Sequence, residues 1–437
     1  MIFTLWFILI FDIEANALTV ENVMQRNEPL RLQNILIVSL ASIYYLYMFF
    51  VRVLPSVITN DLMLDFQTGG HEISLLIVIF VYGYSLSQIP AGIWIDRYGA
   101  KRVMLAGMLG CFISSYLFQA TDNLWITILS RGLLGFSCGP SFIAPMALAK
   151  EYLPKRFFTP AAGFIQVLGC VGAMLTKPVT VWTERLGWRE VVFSSALLAL
   201  FLIAVYSLLP KDKPKEADYK PLATKQALSR IIQTPHYWII GFFGFASWAA
   251  IGGFTEAWGI SYLATLQDIT ISKATAQMNW AWIGVAISSP LAGFWYENAN
   301  NKIIPLVTMY ACGFIGLFCL IATSVHEYYT ISALLFLLGI SAGAQPISFK
   351  LMSKVAPRNI QATAMSFCNI CVTAGAFLLQ PLITHILEFM WDGKMQNNIP
   401  FFQAHQYQVS FLPILVILII AIFASLFTER FTNNETS

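Results

Sequence analysis

Charge is what this chain has least of. Asp, Glu, Lys and Arg make up 11% of its 437 residues, less than half the share of about 25% typical of soluble domains. That scarcity excludes a water-soluble globular body, and no nucleic-acid partner is expected. Histidine is also rare, with five residues in no metal-ligand spacing, so no metal site is expected. Neither a nucleophile elbow nor a phosphate-binding glycine loop is present; the chain is expected to be no enzyme and to need no cofactor. The segments that read as outer loops contain none of the seven cysteines, all of which lie in apolar runs. A disulfide framework is thereby excluded. Cys368-Asn-Ile-Cys371 has redox spacing, but inside an apolar helix it reads as small packing residues.

What is abundant is hydrophobic length. Apolar side chains make up 57% of the sequence, and mean hydropathy is +0.67. A bilayer is crossed by about 20 apolar residues in a helix. Such runs recur twelve times, at 35–58, 73–95, 101–120, 124–149, 158–182, 190–209, 236–264, 274–296, 303–322, 328–350, 360–389 and 406–428. The expected fold is an all-α membrane protein of twelve transmembrane helices. Residues 1–34 are then an N-terminal cytoplasmic extension, 35–210 a six-helix bundle, 211–235 a cytoplasmic linker, 236–428 a second six-helix bundle and 429–437 a tail. The first segment, MIFTLWFILIFDIEANALTV, has an apolar stretch of about ten residues, too short to span, and no basic start. It is expected to be an extension ahead of Met24 or an interfacial helix.

Basic residues orient the chain. Of 26 Lys and Arg, nineteen fall in the segments on one side and four, Arg185, Arg189, Lys273 and Lys394, on the other. The positive-inside rule places both termini in the cytoplasm. The remaining three, Arg52, Arg131 and Lys177, lie inside spans.

The two halves repeat. GYSLSQIPAGIWID (83–96) matches GVAISSPLAGFWYE (284–297), and LGFSCG (134–139) matches LGISAG (338–343). Phe164, Gly172, Ala173 and Pro178 recur as Phe367, Gly375, Ala376 and Pro381. The unchanged order means a parallel two-fold repeat about an axis along the membrane normal, as in transporters whose site lies between two bundles near the midplane.

With these features the chain resembles the major facilitator superfamily over about residues 35–430. The most specific mark is GIWIDRYGAKRVML (92–105), which fits the family's loop signature at Gly92, Asp96, Arg97, Gly99, Lys101 and Arg102. Gly92 permits close helix approach, and Asp96 is placed to face a helix N-terminus or a basic residue. The resemblance implies that this pair of features holds the inner gate shut. In the second copy Glu297 keeps the acid, but Asn298 and Asn300 replace the arginine and glycine region, so a weaker latch is expected. RGLLGFSCGP (131–140) is similar to the family's span-four signature, which implies a conformational role for Arg131. FVRVLPSVITNDLM and EAWGISYL look like a branch of bacterial phagosomal amino-acid transporters and lysosomal dipeptide-transporter-like proteins. The aromatic-x-arginine pattern is also similar to organic-anion symporters, where a span-one arginine binds a carboxylate. A bacterial inner membrane is the implied location.

Four ionisable residues lie well inside spans: Arg52, Arg131, Lys177 and Glu256. Each costs about 2.5–3.5 kcal/mol if left facing lipid, and such residues mark pathways. Arg52 offers a planar fork for a carboxylate, with Tyr45 seven residues earlier on its face; snorkelling to headgroups or pairing with Glu256 are its other readings. Glu256 reads as carrier of a coupling proton, as partner of a substrate ammonium, or as a fixed counter-ion to Arg131 or Lys177. Lys177 lines the pathway or anchors the outer interface. Gln345 occupies the place of Ser141 in the repeat, Trp258, Trp280 and Trp282 are candidate aromatic walls, and Gln166 and Asn369 are equivalent helix-bonding amides. The first functional reading is a proton-coupled importer of small amino acids or short peptides. The second is a symporter of organic anions and the third a drug exporter. The expected partners are a carboxylate-bearing small molecule, the proton and the lipid bilayer, with the chain a monomer.

Overall fold

The computed structural model describes residues 31–68, 70–210, 222–322, 327–396 and 399–427. The extension before Arg31, the first part of the linker and the tail from 428 lie outside these residues. Everything else resolves into helices, apart from a two-residue antiparallel pair, Met395–Gln396 with Ile399–Pro400, in the loop between spans eleven and twelve.

Eleven helices among the described residues are long and apolar enough to cross a membrane. The remaining expected span, the eighth, is a 28-residue helix, Ile271–Asn298, that is long enough but less apolar. Its buried polar side chains Gln277, Ser288 and Ser289 are bonded inside the protein, where exposure to lipid would be costly. Gln277 accepts from Gln267 and donates to the Tyr328 carbonyl, and Ser289 bonds back to Val285.

Several spans are broken, and the breaks fall where the sequence repeats. Span four is Leu124–Ser137 followed by Pro140–Tyr152. Span ten is Tyr328–Ile340, a 3-10 turn at Ser341–Gly343, then Ala344–Val355. The two breaks are the ends of the LGFSCG and LGISAG copies. The small residues ahead of each break let a neighbour approach at backbone distance. A Cβ on Gly135 would meet the Phe80 carbonyl at 2.0 Å, and one on Gly339 the Ala281 carbonyl at 2.1 Å. Span five breaks at Leu175, between Phe158–Met174 and Thr176–Leu186. Pro178 has no N–H for the Met174 carbonyl, which accounts for an interruption there. Cys368 and Cys371 pack against Gly244 and Gly241 of span seven, and all seven cysteines are free.

Span seven holds the largest departure from regular helix. Pro235–Ala250 passes into a π-helix, Ile251–Trp258, before α geometry returns at Gly259–Gln267. Gly252 approaches Ala376 closely, and Gln380 of span eleven donates to the Gly252 carbonyl at 3.0 Å. A neighbour's side chain thus satisfies a backbone group that the wider turn leaves available.

Candidate functional site at the interface of the halves

The halves meet first at the end that carries most of the basic residues. Asp96, near the end of span two (Gly70–Tyr98), accepts from the backbone N–H of Ala362 at 2.9 Å, from that of Thr363 at 2.8 Å and from the Thr363 hydroxyl at 2.6 Å. These donors open span eleven, Gln361–Met390. A carboxylate there satisfies orphan N–H groups and lies at the positive end of the helix dipole. Gly92, one turn earlier, makes the approach possible: a Cβ would meet the Thr363 Cα at 2.7 Å and the Ala362 carbonyl at 2.8 Å. Gly99 turns the chain with φ of 90°, a left-handed region that glycine enters freely. Lys101 caps the end of span six by donating to Ser207 at 2.8 Å and to Leu209. Arg97 and Arg102 remain exposed.

The second copy keeps its contact by another route. Glu297 accepts from the Thr159 hydroxyl at 2.5 Å and pairs with Lys350 Nζ at 2.7 Å. By the repeat, Thr159 and Pro160 stand where Ala362 and Thr363 stand, and Pro160 has no N–H to offer. Lys350, from span ten, supplies the missing donor and also bonds the Lys155 carbonyl at 2.9 Å. Lys150 donates to Ser353 at 3.1 Å, again across the halves. The latch expected to be weak is closed by a lysine from outside the loop motif, so comparison of the two loops alone misses it.

Farther from the basic end, Phe142 of span four and Phe349 of span ten bring their rings to 4.8 Å. Asn369 of span eleven donates to Gln88 at 2.8 Å and to the Tyr84 hydroxyl at 3.2 Å, both on span two. Tyr45 stands above this floor, its ring 4.9 Å from Phe142 and 5.0 Å from Phe49, and its hydroxyl donates to Gln166 at 3.3 Å. Gln345 and Ser141 are buried, and the Gln345 Oε1 and Ser141 Oγ have no hydrogen-bond partner among the described residues. So is the Gln166 Nε2.

Arg52 and Glu256 belong to the layer beyond this floor, away from the basic end. Arg52 is part-exposed in span one, Leu32–Val57, with its guanidinium carbon 5.5 Å from the Phe49 ring. Glu256 lies in the π-helix, with Trp248 and the cation of Arg52 among the groups around it. Arg52 also bears on Tyr45 and Tyr84. One cation and one acid, on opposite halves, therefore lie in the same neighbourhood as two tyrosines.

Other candidates lie elsewhere. Arg131 is wholly buried within the first half, donating to the Val51 carbonyl at 2.9 Å and lying 4.6 Å from the Phe80 ring. Trp258 is engaged with spans eleven and twelve, donating to Thr384 at 3.0 Å and packing 6.0 Å from Phe402 and 6.3 Å from Tyr407. The Lys177 side chain lies outside the described set. Trp248, absent from the sequence-derived candidates, faces Glu256 and packs 6.4 Å from Trp282. In an ideal α-helix residues eight apart are about 80° out of phase; the π segment between them absorbs part of that offset. Gly252-Gly253 was the available signal.

A sequence profile described as Major Facilitator Superfamily matches residues 40–380, and the chain belongs to that family. It is similar to a probable anion transporter 1, chloroplastic, of Oryza sativa subsp. japonica, with 22% identity over 61% of this chain and 54% of the relative. The chain therefore spans about half the length of that relative. It is also similar to a D-galactonate transporter of Escherichia coli O6:H1, with 22% identity over 68% of this chain and 76% of the relative. The solved structure of the proton:xylose symporter XylE superimposes with a TM-score of 0.68 at 14% identity, covering 91% of this chain and 96% of the other. That likeness bears on the fold, which is the twelve-helix arrangement of two six-helix bundles.

Proposed function

We propose that this membrane transporter carries small organic anions together with a proton, with Arg52 holding the carboxylate and Glu256 holding the coupling proton. The observation that supports the reading is the nearness of Arg52 and Glu256, an intramembrane cation and acid on opposite halves. While Glu256 is ionised it opposes Arg52 and the local charge sums to zero. When Glu256 takes a proton, Arg52 is left unopposed in a medium of low dielectric, where a carboxylate is strongly attracted. Proton and anion then enter as a neutral pair. The names of the rice and Escherichia coli relatives support an anion over a zwitterion. The basic end is cytoplasmic in this reading, and the membrane is a bacterial inner membrane.

A second reading, uptake of small amino acids or short peptides, has one observation in its favour. A base facing an acid suits a ligand that carries both charges, and the short motifs around Arg52 and Glu256 look like that branch. Glu256→Gln separates the two. In proteoliposomes with an inward proton gradient, the variant is expected to bind an organic acid with little pH dependence and to lose accumulation against a gradient. Loss of all binding, with amino acids the ligands that stabilise wild type in a thermal-shift screen, would instead establish the zwitterion reading.

A further inference from the structure

On the membrane-facing side of the first half, spans two, three and four leave a crevice of about 480 Å³. It is lined by Ala91 and Trp94 of span two, Ala106 of span three, and Leu133, Phe136 and Pro140 of span four. Its walls are almost wholly apolar. Its inner end rests on the break in span four, where Ser137 ends one helix and Pro140 opens the next. At the basic end its mouth is ringed by Tyr98 and Arg102. Trp94 and Tyr98 are 41% and 50% exposed, as aromatic side chains at a membrane–water boundary commonly are.

We propose that this crevice binds one anionic phospholipid, with an acyl chain along spans two, three and four and the phosphate on Arg102. The charge favours this occupant. Arg102 is exposed and Arg97 stands exposed nearby, whereas Lys101 is taken up by the end of span six. The second half gives a contrast within the same molecule. There Lys302 donates to the carbonyls of Tyr296 and Glu297 at 2.7 and 2.8 Å, and Ile303 stands where Arg102 stands in the first. An apolar slot with a cation at its mouth that pairs with no acid among the described residues matches a lipid that has an acyl tail and a net negative head. A zwitterionic lipid would leave that charge less well matched. Because the slot ends on the break in span four, its occupant bears on the segment that carries Ser141 and Phe142 into the transport site.

The test is native mass spectrometry of the delipidated full-length protein, titrated with phosphatidylglycerol and, separately, phosphatidylcholine. Wild type is expected to retain one phosphatidylglycerol preferentially. Arg102→Gln should weaken that retention about fivefold, the effect of one basic side chain at an anionic surface. Ala106→Phe, which fills the slot and leaves both arginines in place, should weaken it at least as much; Leu133→Trp serves the same purpose if that variant melts early. Equal retention of the two lipids by wild type, or undiminished phosphatidylglycerol retention in either the charge variant or the slot variant, overturns the proposal.

Discussion

Arg52 and Arg131 are both arginines inside apolar helices, and the protein treats them differently. Arg131 is enclosed by its own half, bonded to a backbone carbonyl and stacked near two phenylalanine rings. Arg52 keeps part of its surface and lies near an acid of the other half. In the proposed mechanism Arg52→Ala should reduce anion binding by at least about tenfold, the scale of a lost charged hydrogen bond of about 1.5–3 kcal/mol. Arg52→Lys should restore only part of it, because an ammonium lacks the planar fork. Ligand-induced thermal shifts on both variants measure this, and an unchanged shift in Arg52→Ala would place the substrate elsewhere. From sequence alone the two arginines were told apart only by family resemblance, since the cost of burial is the same for each and their neighbours come from distant segments.

At the scale of elements, the breaks in spans four and ten and the π-helix in span seven position the site. The first two were legible as repeated small-residue motifs. The third was not, because a π-turn inserts its extra residue without altering the apolar composition that marks a span. Its consequence is that Trp248, rather than Trp258, accompanies Glu256. Gly252 is the narrow point: a side chain there meets Ala376 at less than van der Waals distance. Gly252→Val is therefore expected to push spans seven and eleven apart, lowering both the melting temperature and the transport rate. A variant with wild-type melting and transport would show that the π segment tolerates displacement.

For the whole molecule, two unlike contacts join the halves at the basic end, and in the proposed mechanism they act as its latches. Asp96 uses the free N–H groups of span eleven, and Glu297 uses Lys350 and a hydroxyl. Each charged hydrogen bond is worth about 1.5–3 kcal/mol, so removing one shifts the balance between closed and open forms substantially. Asp96→Asn and Lys350→Met are each expected to raise labelling of single cysteines placed in the inner cavity. The double variant should exceed either alone, since the latches lie on different helix pairs. Labelling that stays at the wild-type level in the double variant would mean that other contacts hold this end shut.

The number of spans, their helical character, the two-fold repeat and the acid of each latch were determined by sequence alone. They follow from local hydropathy, from the need to satisfy backbone groups in lipid and from residues at fixed spacing. Which acid meets which donor, which tryptophan reaches Glu256, and which intramembrane arginine faces the other half were decided only by the tertiary structure. Those outcomes depend on the phase of each helix after its breaks and on partners up to 267 positions away along the chain, and neither is encoded in a local pattern.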